Sequence, residues 1–73
     1  MSKIIYTDKY KKFLDRLYQA RKEKGLTQVD VAKALGKHQS YVAKCENGER
    51  RVDIIELAEF AQLYEKSLDY FVG

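Results

Sequence analysis

The side chains best suited to recognition chemistry lie in residues 38–47, where amide, hydroxyl and ammonium groups recur at helical spacing. Since successive residues of a helix are about 100° apart, these groups share one arc of the helix surface. Apart from Ala43, the arc carries the polar residues Gln39, Ser40, Lys44 and Asn47. They can donate and accept hydrogen bonds, whereas His38 at their margin has no Ser, Cys or carboxylate constellation around it. The pattern therefore favours binding over catalysis, and we expect no enzyme.

A polar ridge of this kind is suited to double-stranded DNA. A helix is about 10–12 Å across, and the major groove of DNA is about 12 Å wide. Glutamine can bond adenine through both of its amide atoms, and lysine can donate to guanine O6 and N7. Gln39 and Lys44 are therefore the leading candidates for base contacts, although an ordinary solvated helix face would show the same pattern.

The composition indicates one small all-α domain. The 73 residues include no proline and only four glycines, and small strand-rich folds need more turn residues than that. We expect a single domain over residues 1–73, with an N-terminal arm at residues 1–6 and a core at residues 7–72. One cysteine and one histidine cannot build a structural zinc site, and no apolar run approaches the roughly 20 residues that span a bilayer. We therefore expect a cytoplasmic protein without a cofactor, metal, membrane contact or small-molecule ligand.

Charge is unevenly distributed along the chain. The net charge of +3 divides into +5 for residues 1–24, +2 for residues 25–51 and −4 for residues 52–73. A basic region attracts polyanions, because each phosphate that it neutralises releases counterions. The same charges could equally be solvated helix faces, so the distribution alone leaves both interpretations open.

Capping residues mark the first and the last two helices. Thr7 or Asp8 can cap a first helix, whose apolar residues then recur at helical spacing. Asp53 with Glu56 can cap a fourth helix in a capping box, and Ser67 can open a short fifth.

Between them, the second and third helices should cross at a steep angle. Thr27 caps the second helix, and the third should begin near His38 or Gln39 and run to about Asn47. A turn of three or four residues between them needs one residue with positive φ, which Gly36 supplies at little strain. The predicted core of this pair comprises Val31, Ala32, Leu35, Gly36, Val42 and Cys45.

These residues resemble the helix-turn-helix of the Cro and lambda-repressor-like family, also called the xenobiotic-response-element family of bacterial regulators. The resemblance covers about residues 13–72. It lies in Arg21, GLTQ at Gly25 to Gln28, Ala32, Leu35, Gly36, QSYV at Gln39 to Val42, ENGER at Glu46 to Arg50, and LDYF at Leu68 to Phe71. It implies a five-helix, lambda-repressor-like DNA-binding domain with a helix-turn-helix of helices 2 and 3. The chain departs from the family at Val52, where many relatives carry proline, and at Lys66, where an apolar residue is usual.

The resemblance also implies roles for individual residues. The implied base contacts are His38, Gln39, Ser40 and Lys44. The implied or plausible phosphate contacts are Gln28, Lys37, Tyr41, Asn47, Arg50 and Arg51. Two alternatives remain: Arg50 and Arg51 could be a solvated pair in a loop, and Tyr41 could pack its ring against the second helix. Arg21 and Glu46 are expected to form a partly buried salt bridge, because the first helix must cover the end of the third.

The residues that resemble this family also predict a function. We expect a DNA-binding transcription regulator, a repressor or an autoregulator, that binds an inverted-repeat operator as a homodimer. The candidate dimer surface comprises Tyr64, Leu68, Tyr70, Phe71 and Val72. An alternative dimer contact is the N-terminal arm with Ile4, Ile5 and Tyr6. Alternative functions are a restriction-modification controller, an antitoxin, or a protein-interaction module with weak DNA binding.

Cys45 allows a redox-sensor interpretation, because oxidation within a recognition helix could switch DNA binding. Its predicted position on the apolar side of the third helix favours a different role. A free cysteine in such a position behaves as a small hydrophobic residue.

Overall fold

The computed structural model describes residues 7–73, and these residues form five helices without a strand. The helices are α1 (Asp8–Glu23), α2 (Gln28–Leu35), α3 (Gln39–Asn47), α4 (Ile54–Tyr64) and α5 (Leu68–Val72). The expected all-α, five-helix fold is confirmed. The predicted N-terminal arm, with the dimer contact proposed for Ile4, Ile5 and Tyr6, lies outside the described residues.

The helix starts follow the capping residues of the sequence. Thr7 caps α1 by accepting from the backbone N–H of Tyr10, so the cap is Thr7 rather than Asp8. Thr27 and Asp53 cap α2 and α4, each within a complete capping box. Each cap satisfies backbone N–H groups that have no partner within their own helix. The short α5 begins in the same way, at Ser67.

The turn between α2 and α3 depends on the backbone of Gly36. Its φ is +69°, in the left-handed region that the steep crossing was predicted to require. A Cβ atom at this position would meet nothing within 4 Å. The glycine is therefore needed for its backbone conformation and not for space. Glu65 adopts the same conformation after α4, with a φ of 59°, although its sequence gives no such signal.

The hydrophobic core lies where α1 covers the helix-turn-helix and α4 and α5 close the other side. Its buried apolar members are Phe13, Leu17, Ala20, Val31, Ala32, Val42, Cys45, Leu57, Phe60, Ala61, Tyr64 and Phe71. The predicted core of the α2–α3 pair is therefore buried at four of its six positions. Leu35 is only partly buried against this core, and Gly36 is exposed.

Two residues that we predicted on the dimer surface belong instead to this core. Tyr64 is 2% exposed and Phe71 is 1% exposed, so neither offers surface to a partner. Phe71 packs edge to face on Phe13, with ring centroids 6.3 Å apart, and Tyr64 stacks on Phe60 at 6.0 Å. The prediction for these two residues is wrong, because α5 packs Phe71 onto α1 and α4 turns Tyr64 into the core.

The departure from the family pattern at Lys66 does not prevent α5 from forming. The Lys66 ammonium lies 2.8 Å from Glu23 Oε1 and 4.6 Å from the centre of the Tyr70 ring. Lysine thus joins the end of α4 to α1 through a surface ion pair. Among residues 7–73, no helix has both the length and the apolar character needed to cross a bilayer.

Candidate nucleic-acid interface

The polar arc of α3 lies on the protein surface, opposite the core. Its members Gln39, Ser40, Lys44 and Asn47 are exposed, whereas Val42 and Cys45 on the other side of the helix are buried. His38 precedes the helix at the N-cap position and is also exposed, and its side chain makes no capping bond. The structure therefore brings all four predicted base-contact residues to one exposed helix edge.

A buried ion pair supports this helix from behind. Arg21 Nε lies 2.7 Å from Glu46 Oε2, and Arg21 Nη2 donates to Glu46 Oε1 at 3.1 Å. The two side chains are 9% and 5% exposed, and Arg21 Nη1 also donates to the carbonyl of Leu26 at 2.9 Å. The hydrogen bond from Glu46 raises the pKa of Arg21 above its usual value. The structure thus places Arg21 and Glu46 in the predicted salt bridge, which fixes the end of α3 to α1.

A chain of two further hydrogen bonds extends from this pair to the exposed arc. Gln28 Nε2 donates to Glu46 Oε1 at 3.1 Å, and Gln39 Nε2 donates to Gln28 Oε1 at 2.6 Å. The amide of Gln39 is thereby held in one orientation, with its Oε1 and its second N–H free of the Gln28 bond. The sequence analysis singled out Gln28, Gln39 and Glu46 but did not predict the two hydrogen bonds that join them.

Beside the polar arc lies an open groove of about 570 Å³, which we call the basic groove. Its lining residues are Gly36, Lys37, His38, Ser40, Tyr41, Lys44, Glu49 and Arg50. Lys37 Nζ lies 5.1 Å from the centre of the Tyr41 ring, and Arg50 Cζ lies 4.9 Å from it. The ring therefore carries two cations at its surface. Positive charge in this groove makes it suitable for an anion.

Tyr41 itself does not have the predicted role of a phosphate contact. Its hydroxyl is buried and has no hydrogen-bond partner among residues 7–73, so it cannot reach a phosphate in solution. Burial also raises the pKa of Tyr41 above its ordinary value. Its ring stacks on Phe60 of α4 with centroids 6.3 Å apart and is partly buried against the core.

The arginine pair after α3 is not merely solvated. Arg50 Nη1 donates to Glu56 Oε1 at 2.9 Å, and Arg50 Nη2 lies 2.8 Å from Glu56 Oε2. The pairing raises the pKa of Arg50 and lowers that of Glu56. Arg51 is exposed, with its guanidinium 5.6 Å from the centre of the Tyr10 ring. Sequence reasoning found the two arginines but missed Glu56 as a partner, because the residue was fully explained as a helix cap.

Cys45 has the environment of a structural residue. It is fully buried, and burial raises the pKa of its thiol to about 11. The thiolate is the reactive form of cysteine, and at neutral pH this group remains protonated. The environment of Cys45 therefore favours packing over redox sensing. Within residues 7–73, no three His, Cys, Asp or Glu side chains are grouped as metal ligands.

A helix-turn-helix whose second helix has an exposed polar edge, and is held from behind by a buried ion pair, is typical of one class of DNA-binding protein. The sequence matches the family model described as helix-turn-helix over residues 17–71. The chain belongs to this Cro/C1-type helix-turn-helix family of DNA-binding transcription regulators, which are typically not enzymes.

A curated protein is similar to most of the chain. It is the HTH-type transcriptional regulator PrpR of Mycobacterium tuberculosis, with 41% identity over 56 residues. The match covers 77% of the present chain but only 12% of that regulator, so the similarity concerns one domain of a much longer protein.

Proposed function

We propose that the protein is a sequence-specific transcription regulator that inserts α3 into the major groove of DNA. The observation that carries this proposal is the exposed edge of α3, on which Gln39 is held in one orientation by Gln28. A fixed amide can accept from adenine N6 and donate to adenine N7 without losing rotamer freedom on binding. Lys44, five residues further along α3 and so at the other margin of the polar arc, would donate to guanine.

Phosphate contacts would position this helix on the duplex. The amide groups at the start of α2, where Gln28 lies, are suited to one phosphate, because unpaired N–H groups and the helix dipole attract anions there. Lys37 and Arg50 line the basic groove beside α3, and they, with Asn47 and Arg51, would contact further phosphates. These contacts orient the protein and raise its affinity without reading sequence.

We propose that the regulator represses transcription, its own or that of other genes. Occupation of an operator is enough to exclude a competing protein from the same DNA, and this needs only the binding surface described above. A homodimer is proposed because a domain of this size makes few contacts on one half-site. The operator would then be an inverted repeat, with the two copies of α3 about 34 Å apart.

Of the residues predicted for the dimer surface, Leu68 and Val72 of α5 are exposed and apolar. Tyr70 is half-buried, and its ring already contacts Arg16 and Lys66. The α4 start, with Ile54 and Ile55, is a second exposed apolar site that sequence reasoning did not single out. We assign the dimer contact to α5, which the sequence indicated, and treat the start of α4 as the alternative.

The dimer proposal is tested by matched variants at equally exposed positions. Val72 and Ile55 are both 67% exposed, so a glutamate at either position disturbs the core little. Val72→Glu is expected to weaken self-association at least about tenfold, since it buries a charge in place of an apolar side chain. Sedimentation equilibrium measures the effect, and Ile55→Glu is the control. If only Ile55→Glu dissociates the dimer, the interface lies at the start of α4 instead.

The DNA-binding proposal is tested by selection of bound duplexes from a randomised library at near-physiological salt. We expect sequencing of the retained DNA to show enrichment of an inverted repeat. Retention without enrichment would indicate contact with the phosphate backbone alone. Failure to retain any duplex would contradict the proposal and would favour a protein-interaction module.

A further inference from the structure

The ion pair between Arg50 and Glu56 connects the basic groove to the start of α4. We propose that Glu56 is a positioning residue, which holds Arg50 in place so that Arg50 and Lys37 together bind one backbone phosphate of DNA. This inference rests on the proposed function and adds to it a residue that makes no contact with DNA itself.

Glu56 is a rigid anchor because it already belongs to the capping box of α4. Its Oε1 accepts from the backbone N–H of Asp53 at 3.0 Å, and Asp53 Oδ1 accepts from the backbone N–H of Glu56 at 2.7 Å. The Glu56 side chain is only 16% exposed. The carboxylate is therefore fixed to the helix backbone before Arg50 pairs with it.

Arg50 is held at three points by its surroundings. Its guanidinium pairs with both oxygens of Glu56, and Nη1 also donates to the carbonyl of Arg51 at 2.9 Å. The same group lies 4.9 Å from the centre of the Tyr41 ring. The side chain nevertheless stays 41% exposed and lines the basic groove. Arg50 is thus both ordered and accessible.

Lys37 supplies the second charge of the proposed phosphate site. It comes from the turn between α2 and α3, and its ammonium lies 5.1 Å from the same Tyr41 ring. Glu56 pairs with Arg50 but not with Lys37, while Glu49 also lines the groove. A phosphodiester has two oxygens that can accept from two different cations.

The position of the groove identifies DNA as the source of this phosphate. Ser40 and Lys44 line the groove and also belong to the exposed edge of α3. A duplex whose bases face these two side chains must carry its backbone past the edge of the same groove. Contact there would help to fix the register of α3 along the DNA.

If Glu56 positions Arg50, removing the Glu56 carboxylate should change affinity for the specific duplex in the direction opposite to that expected from charge alone. Removing a carboxylate makes the protein more basic and should strengthen its attraction to any duplex. If Glu56 orders Arg50, its removal instead leaves a flexible arginine that must be ordered on binding. Affinity for the specific site should then fall while affinity for random DNA stays equal or rises.

The experiment compares Glu56→Gln with Glu59→Gln, which makes the same change of charge at an exposed position of the same helix. Glutamine can still serve in a capping box, so α4 should keep its start. Dissociation constants are measured for the duplex enriched by selection and for a random duplex of equal length, at several salt concentrations. Glu56→Gln is expected to weaken binding to the enriched duplex about three- to tenfold, whereas Glu59→Gln should not weaken it.

Two further variants separate positioning from stability. In an Arg50→Ala background, Glu56→Gln should have no additional effect, because the side chain that it positions is absent. Arg50→Lys keeps the charge but loses the paired contact, and it should weaken binding as Glu56→Gln does.

Several results would overturn the inference. If Glu56→Gln and Glu59→Gln bind the enriched duplex equally well, Glu56 does not position Arg50. If Glu56→Gln lowers affinity as much in the Arg50→Ala background as in the unchanged protein, then Glu56 acts through folding alone. In both cases the unchanged protein still binds its duplex, so the proposed function stands. Loss of all DNA retention by the unchanged protein would instead reject the function, and the inference with it.

Discussion

Glu46→Ala is expected to destabilise the domain by about 3–5 kcal/mol, because it leaves the buried guanidinium of Arg21 without its counter-charge. Arg21 is only 7% exposed, so water cannot replace the lost carboxylate easily. Gln28 would lose its acceptor in the same substitution. For a domain of this size the loss corresponds to a fall in Tm of at least about 12 °C, measured by circular dichroism during heating.

The matched control for this experiment is Glu49→Ala, an exposed carboxylate two residues after α3. Its removal is expected to change the free energy of unfolding by less than about 0.5 kcal/mol. A double variant, Arg21→Met with Glu46→Ala, should be more stable than Glu46→Ala alone, since no unpaired buried charge remains. Equally small effects of Glu46→Ala and Glu49→Ala would contradict a structural role for the ion pair.

The local signals in the sequence predicted the helices well. Thr27, Asp53 and Ser67 cap helices because each side chain satisfies a backbone N–H three residues ahead, and that interaction depends on neighbouring residues alone. Gly36 was equally predictable, since a steep crossing requires a left-handed residue. Glu65 was not, because nothing in its side chain favours that conformation; Lys24, which forms an ion pair with it at 2.8 Å, lies far away in sequence.

The contacts between helices were less predictable than the helices themselves. A helical pattern shows which side of an element is apolar, but it does not show what covers that side. For this reason Tyr64 and Phe71 were placed on a dimer surface although the core of the same chain buries them. Tyr41 was misassigned for a similar reason, since its stacking on Phe60 depends on how α4 crosses α3.

The hydrogen bonds and ion pairs between side chains of different elements could be identified only from the structure. The bond of Gln39 to Gln28 and the pairing of Arg50 with Glu56 join residues on different elements, through atoms whose positions depend on rotamers. The residue types alone suggested that Gln28, Gln39 and Arg50 could contact DNA and that Glu56 could cap a helix. Only the geometry shows that Gln39 is oriented before any DNA arrives, and this orientation leads to the second prediction.

Gln39→Ala is expected to lower affinity for the enriched duplex by about 1–3 kcal/mol, or roughly 5- to 150-fold, because it removes a complete amide contact with one base. Affinity for a random duplex should hardly change, since no charge is lost. Dissociation constants for the enriched duplex and for versions with each base pair replaced measure the effect. The variant should lose its discrimination at one base pair of each half-site and keep it at the others.

Two companion variants separate base contact from orientation and from charge. Gln28→Ala removes the acceptor that holds Gln39 and should reproduce part of the loss of discrimination at that same base pair. Lys44→Ala should instead weaken binding to every duplex somewhat and relax discrimination at a different base pair, since it removes both a charge and a base contact. If Gln39→Ala weakens random and enriched duplexes equally, Gln39 does not read a base. Base recognition by α3 would then rest on Lys44 and its other exposed polar residues.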